Sequence, residues 1–230
     1  MDDLTGKWAR LSLNTRETQT IPLAPKVENN NRVLVVKLFA KHRVNIEALS
    51  RTLKTMWRSI QNFEVRDLTS NTVLIFFSDE ADAKKILSQG PWSFDKYLIG
   101  LYKPGNSESV DNAKFGTASF WVQIHNLPLS RMNIANAEII GSSLGKVEKV
   151  DDSPTDECPS RCVRVRVALN IEQPLCRGLF VDMGATGPLW VSFQYKRMPV
   201  FYYWYGLMNH DEKDCRLWMD SGETLTKESQ

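Results

Sequence analysis

The chain has 230 residues, 42% of them hydrophobic and 24% charged, which is enough apolar content for a sizeable core. Its 29 basic and 27 acidic residues leave a net charge of +2, which permits nucleic-acid contact without the strong basic excess of a dedicated binder. No apolar run approaches the roughly 18 residues of a membrane helix, and the opening MDDLTGKWARLSLNT has no apolar region of a secretory signal, so neither is expected.

Residues 1–30 are rich in Thr, Asn and Gln, contain Pro22 and Pro25, and show no sustained period; they read as a flexible arm. A first unit is expected over 31–103. VLVVKLF (33–39) is a β-branched run suited to a buried strand. NIEALSRTLKTMWRSI then sets Ile46, Leu49, Leu53, Trp57 and Ile60 at helical spacing behind Asn45 as N-cap. Arg51, Lys54 and Arg58 fall on the polar side of that helix. FEVRDL (63–68) and NTVLIFF (71–77) read as paired strands, and DEADAKKILSQ as a short helix capped by Ser78 and stopped by Gly90 and Pro91. KYLIGLY (96–102) closes the unit. The order βαββαβ is the ferredoxin-like, RRM-like pattern of an α+β fold.

Residues 104–117 are polar and turn-rich and read as a linker. A second, smaller α+β unit is expected over 118–198. SFWVQIHNLP (119–128) is a strand ending at Pro128, and RMNIANAEIIGSSLG (131–145) a helix ended by glycine. KVEKVDD (146–152) and CVRVRVALNI (162–171) are further strands around a loop at SPTDECPSR. PLCRGLFVDM has the composition of a degenerate helix, and PLWVSFQYK (188–196) of a closing strand. Two readings stand here: a second copy of the first pattern, or a coincidental alternation of strands and helices. Residues 199–218 carry a degenerate zinc-knuckle frame, and 219–230 a polar tail. Four cysteines (Cys158, Cys162, Cys176, Cys215) do not form a disulfide framework in a chain this long. Reduced thiols and an intracellular location, nucleus or cytoplasm, are the expectation.

The landmarks succeed one another in a specific order. Trp57 is followed by GPWSF (90–94), WVQIHNLP (121–128), IGSSLGKVEKVD, RVRVALNIEQPLCRG (164–178) and YKRMP (195–199). Last comes FYYWYGLMNHDEKDC, in which Tyr202, Tyr205, His210 and Cys215 stand at Cys-x2-Cys-x4-His-x4-Cys spacing. Over 31–218 the chain resembles the plant LINE-type retrotransposon proteins in which a domain of unknown function precedes a Cys-Cys-His-Cys knuckle. That resemblance implies an RRM-like N-terminal domain and nucleic-acid binding, on the element's own RNA. The departure is that Tyr202 and Tyr205 stand where the family has cysteine.

A structural zinc site wants four Cys or His ligands, and tyrosine is a poor ligand at neutral pH. His210 and Cys215 supply only two, so no cofactor is expected and zinc is disfavoured. In the run from Phe201 to Tyr205, Tyr203 and Trp204 are candidates for stacking on unpaired bases; packing against the preceding unit is the other reading. The central strands of the first unit offer only Phe39, Phe76 and Phe77 as aromatics and lack the basic-glycine-aromatic signature of a working RRM. Its sheet face is therefore expected to be apolar and covered, by the second half or by the arm. Phosphate contacts are expected from Lys41, Arg43, Arg51, Lys54 and Arg58 near the first helix and from Arg161, Arg164 and Arg166 on the later strand. Alternation puts Arg164 and Arg166 on one strand face and Val163, Val165 and Val167 on the other.

Asp151, Asp152, Asp156 and Glu157 read as a solvated loop rather than a cation site. No phosphate-cradling glycine loop or nucleophile elbow occurs, so no enzyme is expected. The sequence points to weak, sequence-nonspecific binding of single-stranded RNA or DNA, away from membranes. The alternative is a self-association or protein-assembly module that has lost metal-dependent binding.

Overall fold

The structure, a computed structural model, describes residues 20–21, 30–40, 42–60, 62–69, 71–105, 108–151 and 162–199. The expected arm lies almost wholly outside these residues. So do the knuckle frame, the polar tail and the loop residues Asp152, Asp156 and Glu157.

The first unit opens with β1 (Val33–Leu38) and α1 (Ile46–Met56). Asn45 caps α1 by accepting from the backbone N–H groups of Glu47 and Ala48 at 2.9 and 3.1 Å. After α1 come β2 (Phe63–Thr69), β3 (Thr72–Phe77), α2 (Glu80–Gln89), the three-residue β4 (Trp92–Phe94) and β5 (Tyr97–Tyr102). The cap of α2 is Asp79, whose carboxylate accepts from Ala81 N–H, and not Ser78 as expected. The Ser78 hydroxyl donates instead to the Asn62 carbonyl at 3.2 Å. The sheet runs β2-β3-β1-β5-β4, all antiparallel, with the expected βαββαβ order plus one short hairpin strand.

Alternation sorts the strands. Leu34, Val36, Leu38, Val73, Ile75, Phe77 and Ile99 meet Leu49, Leu53, Trp57, Ala83 and Ile86 from the helices in one buried cluster. Asn71 fastens the end of this layer. It sits in a left-handed turn at φ 60°, donates to the Ala40 and His42 carbonyls at 2.6 and 2.8 Å, and accepts from Val44 N–H.

The opposite face of this sheet is covered, as expected, and the structure identifies the cover. Gly100 lies so close beneath Phe115 and Phe39 that a Cβ there would stand 3.0 Å from each ring. Lys37 reaches over both rings, at 5.7 and 5.9 Å from their centroids. Leu98 and Phe39 join the second unit's core. The nominal linker thus contributes Phe115 as a plug.

The second unit runs β6 (Thr117–His125), α3 (Ile134–Ser142), β7 (Lys146–Asp151), β8 (Cys162–Asn170), β9 (Gly178–Asp182) and β10 (Pro188–Tyr195). Its sheet order is β7-β8-β6-β10-β9, which repeats the first sheet strand for strand. The reading as a second copy of the pattern therefore holds for the sheet and for α3.

It fails for the second helix. PLCRGLFVDM forms an irregular segment and then β9, because Leu179 and Val181 alternate with Phe180 and Asp182 at strand period. The irregular segment still closes the core: Leu175 and Cys176 pack on it, and the hydroxyl of the half-buried Tyr195 donates to the Cys176 carbonyl at 2.5 Å. Cys176 is a free thiol, whereas Cys162 is disulfide-bonded to a partner outside the described residues. The disulfide at Cys162 departs from the expectation of reduced cysteines.

Candidate functional site

α3 covers one face of the second sheet. Val163, Val165 and Val167 of β8 and Phe120, Val122 and Ile124 of β6 point at it, with Ala137 and Ile140. The residues between them therefore lie on the other face. Cross-strand partners fix the set: Trp121 opposite Arg166, Gln123 opposite Arg164, Lys149 opposite Arg166, Lys146 opposite Ala168. On the far side Gln194 and Ser192 stand opposite Gln123 and His125, and Trp190 opposite Phe180. One face therefore carries three aromatics and four cations of the described residues: Trp121, Phe180, Trp190, Lys146, Lys149, Arg164 and Arg166.

The aromatics are displayed in two places. Phe180 is 67% exposed and Trp190 43%, at the β9 edge, with ring centroids 5.0 Å apart and planes at 67°. Trp190 leans over Gly178, where a Cβ would come within 2.6 Å of the indole, so glycine is what lets the ring lie flat. On the central strands the Arg164 guanidinium lies over the Trp121 ring at 5.1 Å and faces Asp151 at 3.7 Å. Gln123, between them, is buried at 2% exposure, and its amide nitrogen finds no acceptor among the described residues.

His125 meets the Gln123 side-chain oxygen at 3.3 Å. Burial, helped by the positive charge of Lys196, holds its imidazole below the ordinary 6.5. The unfolded chain therefore takes up the proton first as pH falls, so this contribution to stability is full above about 6.5 and declines below it. A thermal-melt series from pH 7.5 to 5.5 is expected to show a falling midpoint that flattens in His125→Gln. An unchanged slope in that variant would assign the pH response to other groups.

The arginines of β8 differ in role. Arg166, expected as a phosphate contact, is only 6% exposed. Its Nε donates to Glu148 at 3.0 Å and its Nη1 to the Gly90 carbonyl of the first unit at 2.9 Å. Glu148 in turn accepts from the Ser119 hydroxyl at 2.8 Å. Arg43, Arg51, Lys54 and Arg58 are exposed but belong to the helix-bearing side of the first unit. Arg43 faces Asp67 and Arg51 faces Glu47, both at 3.8 Å, the geometry of weak solvent-exposed pairs. The structure therefore does not gather them with Arg164. Lys41, Arg161, Tyr203 and Trp204 lie outside the described residues, as do the knuckle positions Tyr202, Tyr205, His210 and Cys215. Among the described residues no group of His, Cys, Asp or Glu is arranged to hold a metal, and no helix is long and apolar enough to cross a membrane.

Trp121, Phe180 and Trp190 did not emerge from the sequence as site residues. The signal was present: SFWVQIH alternates polar and apolar, which places Ser119, Trp121, Gln123 and His125 on one face by the same rule that sorted β8.

A family described only as a domain of unknown function (DUF4283) matches residues 26–103. No curated protein matches the chain. Among solved structures, RNA recognition domains 1 and 2 of Sex-lethal from Drosophila melanogaster align with 60% of this chain and 85% of theirs, at 13% identity and a TM-score of 0.26. The N-terminal three RNA-binding domains of the yeast splicing factor Prp24 align with 71% of this chain and 65% of theirs, at 14% identity and a TM-score of 0.27. These likenesses are distant, and the fold rests on the strand order and crossovers given above.

Proposed function

We propose that the chain binds single-stranded RNA or DNA on the face of its second sheet opposite α3, without catalysing a reaction. The observation that carries this reading is the convergence on one face of Trp121, Phe180 and Trp190 with Arg164, Lys146 and Lys149. Unpaired bases stack on such rings with little regard to sequence, and the flanking cations take the phosphates. Lysine, which protein-docking faces deplete, is present here twice, at Lys146 and Lys149. The order of landmarks from Trp57 to Cys215 supports a retrotransposon-derived ancestry, in which the element's RNA is the natural ligand.

Titration of labelled oligouridylate and oligothymidylate by fluorescence anisotropy tests this. Affinity is expected to fall between ~50 and ~200 mM salt. Removing one phosphate-pairing cation, as in Lys146→Ala or Lys149→Ala, should lower the log–log slope by about 0.7. Binding that ignores both salt and these substitutions would remove the reading.

A further inference from the structure

The two units meet around a cleft of about 150 Å³ lined on one side by Leu87, Pro91 and Trp92 and on the other by Ser119, Glu148 and Arg166. It has room for roughly five water molecules, more than a single bridging water would need and less than a nucleotide. Arg166 uses Nε on Glu148 and Nη1 on Gly90, and its remaining nitrogen, Nη2, is buried without an acceptor among the described residues. A guanidinium N–H left in this state is costly, and the residue that carries it lines the cleft. Glu148 keeps spare lone pairs, because each of its oxygens accepts one hydrogen bond and has room for another.

The cleft therefore sets an arginine donor and a carboxylate acceptor on one side against the apolar Leu87, Pro91 and Trp92 on the other. The charges of Arg166 and Glu148 cancel, so a phosphate gains little there while meeting a carboxylate at close range. A neutral planar group with polar atoms along one edge fits better. Guanine presents a carbonyl oxygen followed by two N–H donors on that edge, which matches one donor followed by a two-oxygen acceptor. Adenine has no carbonyl, uracil has a single donor between two acceptors, and cytosine would set two acceptors against a site with one donor.

We infer that the seam between the units is a pocket for one guanine base of a bound strand, read by Arg166 Nη2 and Glu148. The inference rests on the proposed single-strand binding and adds a base preference to it. The test is anisotropy titration of labelled uridine-run RNA carrying one central guanosine, inosine or adenosine, against the all-uridine strand. Guanosine is expected to bind about ten-fold tighter than adenosine or uridine, with inosine, which lacks the 2-amino group, in between. Glu148→Gln, checked for a native circular dichroism spectrum before titration, is expected to abolish the guanosine preference. Equal binding of all four strands would overturn the guanine pocket and leave the platform reading standing, with water alone completing Arg166. A guanosine preference that survives Glu148→Gln would place the recognition elsewhere. Failure of every strand to bind would overturn both readings.

Discussion

A Phe180→Ala/Trp190→Ala variant is expected to bind single-stranded RNA roughly ten-fold to a hundred-fold more weakly than the native chain. A base stacked on an aromatic ring contributes about 1 to 3 kcal/mol, and this pair is the most exposed aromatic surface of the described residues. Because Phe180 stands largely in solvent, Trp190 is 43% exposed and neither ring belongs to the core cluster, truncating them leaves the core of Val191, Phe193 and Leu179 intact. The variant should keep its circular dichroism spectrum and its salt slope, since no cation is removed. Affinity within two-fold of native, measured by anisotropy on a folded variant, would mean that the pair is a surface ornament and that binding lies elsewhere. Trp121→Ala probes the other half of the platform, where Arg164 would be deprived of the ring it stacks on.

The largest effect on stability is expected at Trp57. Its indole is 1% exposed and packs against Phe63 at 5.4 Å, Trp92 at 5.7 Å and Phe77 at 6.1 Å, so it joins α1 to three strands at once. Trp57→Ala should cost about 3 to 5 kcal/mol in guanidinium unfolding, from reduced burial and the cavity left behind. Trp57→Phe should cost far less. The indole N–H is buried without an acceptor among the described residues, so replacing it with an apolar ring also removes an unsatisfied donor. Equal destabilisation by the two substitutions would show that the hydrogen-bonding capacity of the indole, and not its volume, is what the core uses.

The first sheet was legible from sequence because its signals agree. A β-branched run, a capped amphipathic helix and a glycine-proline stop each point to the same element, and their order leaves one topology. The second sheet was half legible. Its strands and α3 follow from the same rules, but the missing helix had to be read against Pro174 and Gly178, which break helical period and allow β9. Arg166 shows the limit more clearly. Alternation placed it correctly on a face with Arg164, yet its burial depends on the Gly90 carbonyl 76 residues away, which no local pattern contains. The aromatic platform went unread for a different reason: Trp121 sits on the edge of a motif whose neighbours are core valines and isoleucines, and Phe180 belongs to a segment whose composition imitates a helix.

The repeated strand order has a genetic corollary. In each sheet the strand by which the chain enters lies beside the strand by which it leaves: β1 pairs β5, with Val35 opposite Tyr102, and β6 pairs β10, with Val122 opposite Tyr195. The pairs are antiparallel, so entry and exit fall at the same end of the sheet. A block built this way can be copied in tandem, or deleted, with only a short connector to rejoin and no strand to rethread. Two such blocks in one chain are what a single duplication would leave, free afterwards to diverge until one sheet face was plugged by Phe115 and the other carried the exposed Phe180 and Trp190.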